Sequence, residues 1–206
     1  MINHIIFDMD GTLSDTAKAT EIALGNLDAK FGLPSVTLAQ IHDAMGLFGM
    51  EFFEHLYPNA NRDILLEVQQ IIDVEEDFFV KKTGKDILFS GVYDMLNKLV
   101  KNGKTLHIAS TANQNHVNAT LGAGQISGLF SSVSCGQAAK IAMVADIIAN
   151  SDKSEWAMAG DMFKDSEAAK ANGILAIGAG YGYLSKEDYG LFDCVIHKPE
   201  DIFKAI

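Results

Sequence analysis

Arginine is nearly absent: Arg62 is the only one in 206 residues, and Lys and Arg together number 16 against 27 Asp and Glu. With a formal net charge of −11, the chain lacks the clustered positive charge that grips a polyanionic backbone, which excludes a broad nucleic-acid interface. Any anionic ligand must be held by a metal, a few lysines or backbone amides. Cysteine is scarce too. Cys135 and Cys194 lie outside any metal-binding spacing and read as buried free thiols in a reducing compartment rather than a disulfide. No Pro/Ser-rich linker, repeat or low-complexity stretch is visible. No apolar run approaches the roughly 18 residues of a membrane span. The N-terminus also lacks a basic region followed by an apolar one, so no signal peptide is expected. The expectation is a cytoplasmic protein with neither a membrane nor a nucleic-acid partner.

The rest of the composition, 48% hydrophobic and 21% charged, is that of a globular chain able to bury a core. Two periods alternate along it. "HIIFDMD", "TLHIAST", "WAMAGD", "ILAIGAG" and "DCVIH" are short apolar runs bounded by turn residues and read as buried strands, with a weaker sixth in "FSSVSCG". Helical spacing fills the gaps: Val92, Leu96, Leu99 and Val100 before an Asn102-Gly103 stop, then Ile141, Val144, Ala145 and Ile148 on one face, then "DSEAAKANG" closed by Gly173. Such alternation from about Asp86 onward predicts βαβ units and a parallel sheet covered on both faces.

Residues 15–85 break the rhythm. They contain no convincing strand, only helical stripes, one of them through Leu65, Val68, Ile72 and Phe79. Some seventy such residues exceed what a crossover needs. The expected fold is therefore α/β, a Rossmann-like doubly wound parallel sheet core (1–14 and 86–206) with an inserted all-helical cap subdomain (15–85). The insertion would sit above the C-terminal strand ends, where open α/β sheets bind ligands.

That edge is where the acids are. Asp8 and Asp10 are two apart at the end of the first strand, so both point to one side. Gly11 permits a sharp turn and Thr12 offers a hydroxyl and an amide. A carboxylate pair in a hard oxygen environment suits Mg²⁺; an ordinary strand followed by an Asp-Gly turn is the plainer alternative. "MAGDMFKDSEAA" repeats the pattern with Asp161 at a strand end and Asp165 at a helix head. Asp161 can share a cation with Asp8 if their strands are neighbours, and Asp165 is open to a simple N-cap role. Ser110 and Thr111 end another strand, as turn formers or as a cradle for a phosphoryl oxygen. Lys140 sits among apolar residues, where a surface position is the default unless an anion holds it.

"FDMDGTL", "LHIAST", "AAK" and "GDMFKD", in that order and at strand ends, resemble the four motifs of the haloacid dehalogenase-like hydrolase superfamily. "FSGVYDMLNKLVKNGKTLHIAST" and "GDMFKDSEAAKANGILAIGAGYGY" are similar to its phosphoglycolate phosphatase-like branch with a helical cap. The resemblance implies a Mg²⁺-dependent phosphatase acting on a small phosphorylated metabolite, a phosphoglycolate-like monoester, through an aspartyl-phosphate. By the same resemblance Asp8 is the nucleophile and Asp10 the acid/base. Asp8, the carbonyl of Asp10 and Asp161 bind the metal with support from Asp165, while Ser110, Thr111 and Lys140 hold the phosphoryl oxygens. The third motif lacks the proline that often follows its lysine.

The superfamily also contains sugar-phosphate mutases (beta-phosphoglucomutase-like), inorganic pyrophosphatases and catalytically silent binding proteins. The mutases typically carry a cap histidine where Thr20 stands and an arginine that "AMGLFGMEFFEHLY" lacks, so hydrolysis is favoured. Retention of all four motifs favours an enzyme over a silent protein. Gly46 and Gly49 bound a loop that could close over the site or could be a tight loop between packed helices. His42, His55 and His107 read as surface or packed residues, and "GAGYGY" fails the spacing of a dinucleotide-binding loop.

Overall fold

The apolar run before Asp8 becomes a central strand. In a computed structural model describing residues 1–206, six strands form one sheet: β1 (His4–Phe7), β2 (Thr105–Ser110), β3 (Phe130–Cys135), β4 (Trp156–Gly160), β5 (Leu175–Ala179) and β6 (Cys194–Ile196). The order is β3-β2-β1-β4-β5-β6 and every pairing is parallel. The crossover to the left of β1 and the one to its right put a topological switch point at its C-terminal end, where such sheets open a crevice. The weak sixth strand is β3; it lies at an edge and pairs only with β2, which is why its apolar pattern is diluted.

Between β1 and β2 lie α1 (Ala17–Phe31), α2 (Leu38–Ala44), α3 (Met50–Leu56) and α4 (Arg62–Thr83), followed by α5 (Val92–Lys101). After β2 the strands alternate with α6 (Gln114–Ala123), α7 (Lys140–Ile148) and α8 (Phe163–Asn172), and α9 (Ile202–Ala205) ends the chain. Successive residues of β1 serve opposite faces: Ile5 and Phe7 join Leu96, Leu99 and Val117 on one side, while Ile6 packs with Val144, Ile148 and Ala168 on the other. A separate apolar cluster, including Leu24, Leu27, Ile41, Phe53 and Leu65, holds α1 to α4 together. No helix is long and apolar enough to cross a membrane.

Two helical faces differ from expectation. On α5 Met95 is buried and Val100 is 40% exposed. On α7 the buried face is Lys140, Met143, Val144 and Ile148, with Ile141 41% exposed. The reason is Lys140 itself: carboxylates draw its side chain inward, which turns the i, i+3, i+4, i+8 stripe to the sheet and Ile141 and Ala145 outward. The two thiols are free and half-buried.

Candidate active site

Asp8 is the first residue past β1 and Asp161 the first past β4, and these strands are adjacent in register, with Phe7 beside Ala159. The Asp8 amide donates to the Ala159 carbonyl at 2.9 Å, which locks the two strand ends together. Asp165 sits in the first turn of α8, and its Oδ2 accepts from the Met162 amide at 2.9 Å. It closes a capping box as the third helical residue, three positions after the N-cap residue itself. One carboxylate oxygen from each of Asp8, Asp161 and Asp165 lies within 4.8 Å of the others. All three side chains are buried.

Lys140, in the first turn of α7, threads into this cluster from the other side. Its Nζ is 2.9 Å from Asp8 Oδ1 and 2.6 Å from Asp165 Oδ1, and the residue is only 5% exposed. The anion its burial required is therefore the acid cluster itself. Asp161 Oδ1 accepts from Thr12 Oγ1 at 2.6 Å, whereas its Oδ2 is buried without a hydrogen-bond partner. Gly11 makes the approach possible. It has φ +83°, and a Cβ there would lie 2.1 Å from Asp161 Oδ2.

Asp10 turns away from that cluster. Its Oδ1 accepts from Thr16 Oγ1 at 2.7 Å and faces His116 Nε2 at 3.1 Å, with Ser14 Oγ at 3.5 Å. Asp10, Asp8, Ser110, Thr111 and Lys140 all line a cavity of about 380 Å³ between the sheet ends and α3 and α4. Ser110 is buried, and its Oγ accepts from the Ala112 amide at 3.1 Å, which fixes the turn that presents Thr111. Asp161 and Asp165 lie behind the cavity wall. On the cap side the wall is largely apolar, including Leu47, Phe48, Phe52 and Ile72, with Asp73 and Glu76 beside them.

Burial of so many charges sets the electrostatics. Burial and the neighbouring Asp165 push the Asp8 carboxyl up to about 7, against the opposing pull of Lys140. Burial and Asp8 hold Asp161 well above the usual carboxylate range. For Lys140, burial works against the charge, but Asp165 and Asp8 override it and raise the ammonium. Burial would raise Asp10 as well, yet His116 and Thr16 outweigh it and hold the carboxyl low. His116 is the complement: burial disfavours its charge, and Asp10, Glu76 and Asp77 lift it to about 9. The acid cluster thus has more carboxylate than cation, and one Asp161 oxygen is buried with no donor to offset its charge. Buried hard oxygens around one point are the donor set that Mg²⁺ takes.

The sequence profile of the haloacid dehalogenase-like hydrolase family matches residues 5–179. The chain belongs to that family. It is 29% identical, over 98% of its own length and 89% of the relative's, to a phosphoglycolate phosphatase of Caulobacter vibrioides. It is 24% identical to a 5′-nucleotidase of Pseudomonas aeruginosa, over 90% of this chain and 86% of that one. Among solved structures, a haloacid dehalogenase-like hydrolase from Streptococcus pneumoniae superposes with a TM-score of 0.84 at 21% identity, over 99% of this chain and 98% of the other.

The structure brings Asp8, Asp161, Asp165 and Lys140 into one cluster and sets Asp10, Ser110 and Thr111 on the adjoining cavity wall. His42 stacks on Tyr183 at 4.3 Å, His55 pairs with Asp43 at 2.9 Å, and His107 packs by Trp156. The glycine-tyrosine run straps the first loop: Tyr181 donates to the Thr12 carbonyl at 2.9 Å, and Tyr183 donates to Asp15 at 3.1 Å. Sequence reasoning missed His116 and Glu76. The available signal was weak: a histidine six positions after Ser110, in the first turn of the helix that follows a site strand.

Proposed function

We propose that this hydrolase is a phosphatase that cleaves a small phosphate monoester through an aspartyl-phosphate on Asp8, with Mg²⁺ as its cofactor. The observation that supports it most is the buried cluster of Asp8, Asp161, Asp165 and Lys140 at the end of β1 and β4, opening on a cavity lined by Asp10 and Ser110. Asp8, Asp161 and the Asp10 carbonyl would hold the metal, with Asp165 in support; when bound, it neutralises phosphoryl charge.

Each residue then has a task. Lys140 favours the ionised form of Asp8 and offers its Nζ to phosphoryl oxygens, joined by the Ser110 hydroxyl and the Thr111 amide. An Asp8 carboxylate oxygen attacks phosphorus as the ester P–O bond breaks, and the proton needed by the departing oxygen comes from the Asp10 carboxyl. A dianionic ester and loss of water both favour the protonated form of Asp10 at that moment. Asp10 then takes a proton from the water that attacks the aspartyl-phosphate, which frees phosphate and restores Asp8. Residues 15–85 act as the cap that selects the leaving group, and 1–14 with 86–206 as the catalytic core. The relatives nominate phosphoglycolate first, and a nucleoside monophosphate fits the apolar wall as a larger candidate. Thr20 and the lack of an arginine in residues 44–57 favour hydrolysis over phosphoryl transfer between sugar positions.

The test is phosphate release from p-nitrophenyl phosphate or acetyl phosphate by purified protein with Mg²⁺. We expect turnover that EDTA abolishes and Mg²⁺ restores. Release of an isomerised sugar phosphate without free phosphate would overturn the hydrolytic reading, and turnover indifferent to EDTA would overturn the metal.

A further inference from the structure

We propose that His116 and Glu76 form a positioning pair for Asp10, fixing one carboxylate oxygen so that the other faces the leaving group; this rests on the acid/base reading of Asp10 above. The asymmetry at Asp10 is the starting point. Its Oδ1 gathers Thr16 Oγ1 at 2.7 Å and His116 Nε2 at 3.1 Å. Every hydrogen bond of its carboxylate falls on Oδ1, and Asp10 lines the cavity. A carboxylate gripped on one oxygen cannot rotate about its terminal bond without losing both contacts. The free oxygen is thereby presented to the ligand.

His116 is itself held from two sides. Its backbone amide donates to the N-cap side chain of Asn113 at 2.9 Å, which fixes the first turn of α6. Its ring Nδ1 is buried with no hydrogen-bond partner and lies 3.9 Å from Glu76 Oε2. The carboxylate sits just beyond hydrogen-bond length, close enough to orient the ring with Nε2 toward Asp10. Glu76 comes from α4 in the inserted helices, and Asp73 on the same helix accepts from Asn113 Nδ2 at 3.1 Å. The helix that lies over the cavity thus reaches the acid/base through one imidazole. A small displacement of α4 would loosen Asp10, so the cap helps to set the catalytic carboxylate as well as to shape the pocket. Asp73, Glu76 and Asp77 of α4 are the acids that face the ring, and Asp10 is the one opposite them.

A plain structural bridge between α4 and α6 would make the same contacts, so the test must read the two steps separately. The leaving group of p-nitrophenyl phosphate departs without a proton, whereas an alkyl phosphate needs one, and hydrolysis of the aspartyl-phosphate needs Asp10 as base. In rapid-mixing experiments with Mg²⁺, His116→Ala should keep a near-normal burst of p-nitrophenolate. Its steady-state turnover should fall by roughly 10- to 100-fold, within the range of a general acid/base contribution. With 2-phenylethyl phosphate the burst itself should disappear. KM for p-nitrophenyl phosphate should fall in step with kcat, leaving kcat/KM nearly unchanged, and His116→Gln, whose amide can still reach Asp10, should regain part of kcat. Glu76→Gln keeps the shape and should show the same pattern with a smaller loss; it carries the test if His116→Ala does not fold. Equal slowing of burst and steady state on both esters, or no change in either, overturns the proposal. Asp10→Asn is the control: if it lacks the burst-then-stall pattern, the acid/base reading of Asp10 fails, and the positioning role with it.

Discussion

The two walls of the cavity are built on opposite rules. On the sheet side, Asp8, Asp161, Asp165 and Lys140 are buried at strand ends or in first helical turns, and Lys140 Nζ, Asp8 Oδ1, Asp161 Oδ1 and both Asp165 oxygens have a partner within 3 Å. On the cap side, Phe48, Phe52 and Leu47 offer surface without directional contacts, and Phe48 is 39% exposed. The first arrangement fixes a reacting atom; the second tolerates variation in what is attached to it. On the proposed reading, chemistry belongs to the sheet side and selection to the helices opposite.

The comparison can be broken most forcefully from the sheet side. Asp8→Asn should lower phosphate release by at least ~10⁴-fold, because it removes the nucleophile rather than an interaction; measurable turnover near wild type would sink the assignment. Gly11→Ala should come next. It would press a methyl group into Asp161 Oδ2 from a backbone at φ +83°, and we expect on the order of 100-fold weaker Mg²⁺ activation, the scale of losses when ligand geometry is disturbed. Mg²⁺ titrations of activity check it.

A pH experiment sharpens the same contrast. Asp8 rises from 3.8 to about 7 in the folded chain. Its folded form therefore binds a proton more tightly than the unfolded form, and metal-free stability should decline as pH rises between those values. Asp161, raised as well, adds in the same direction. The decline should amount to a few kcal/mol at most, on the scale of about 1.4 kcal/mol per pKa unit. Mg²⁺ should reverse it, with the largest increase in Tm above pH 7. Denaturant melts from pH 4 to 8, with and without Mg²⁺, decide this, and a flat metal-free profile would contradict it. The smallest effect belongs to the cap wall: Phe52→Ala should raise KM for a bulky aromatic ester roughly 3- to 10-fold, about the value of lost apolar contact. It should leave kcat for acetyl phosphate within about twofold, since that leaving group does not reach the wall.

What was legible in the sequence was whatever is local. Asp8 and Asp161 could be placed because each ends an apolar run, and a strand end fixes its next residue against the neighbouring strand. The helical insertion was legible from the missing period-two pattern. Asp165 was legible as a helix head, though not as the third residue of a capping box. The buried face of α7 was misjudged because periodicity counts Lys140 as polar and outward, whereas two carboxylates brought from distant segments, Asp8 and Asp165, pull it in. His116 left only a weak signal for the same physical reason. Its contact with Asp10 spans 106 residues and exists only because α6 starts at the site and α4 packs over it.

The central claim, that Asp8 carries phosphate covalently, is tested most directly by trapping the intermediate. The Asp10→Asn protein, mixed with Mg²⁺ and p-nitrophenyl phosphate and quenched in acid, should hold about one phosphoryl group per chain. Hydroxylamine should remove it, and peptide mass spectrometry should place it on Asp8. A phosphoryl group on another residue, or none at all while p-nitrophenolate is still released, would contradict the account.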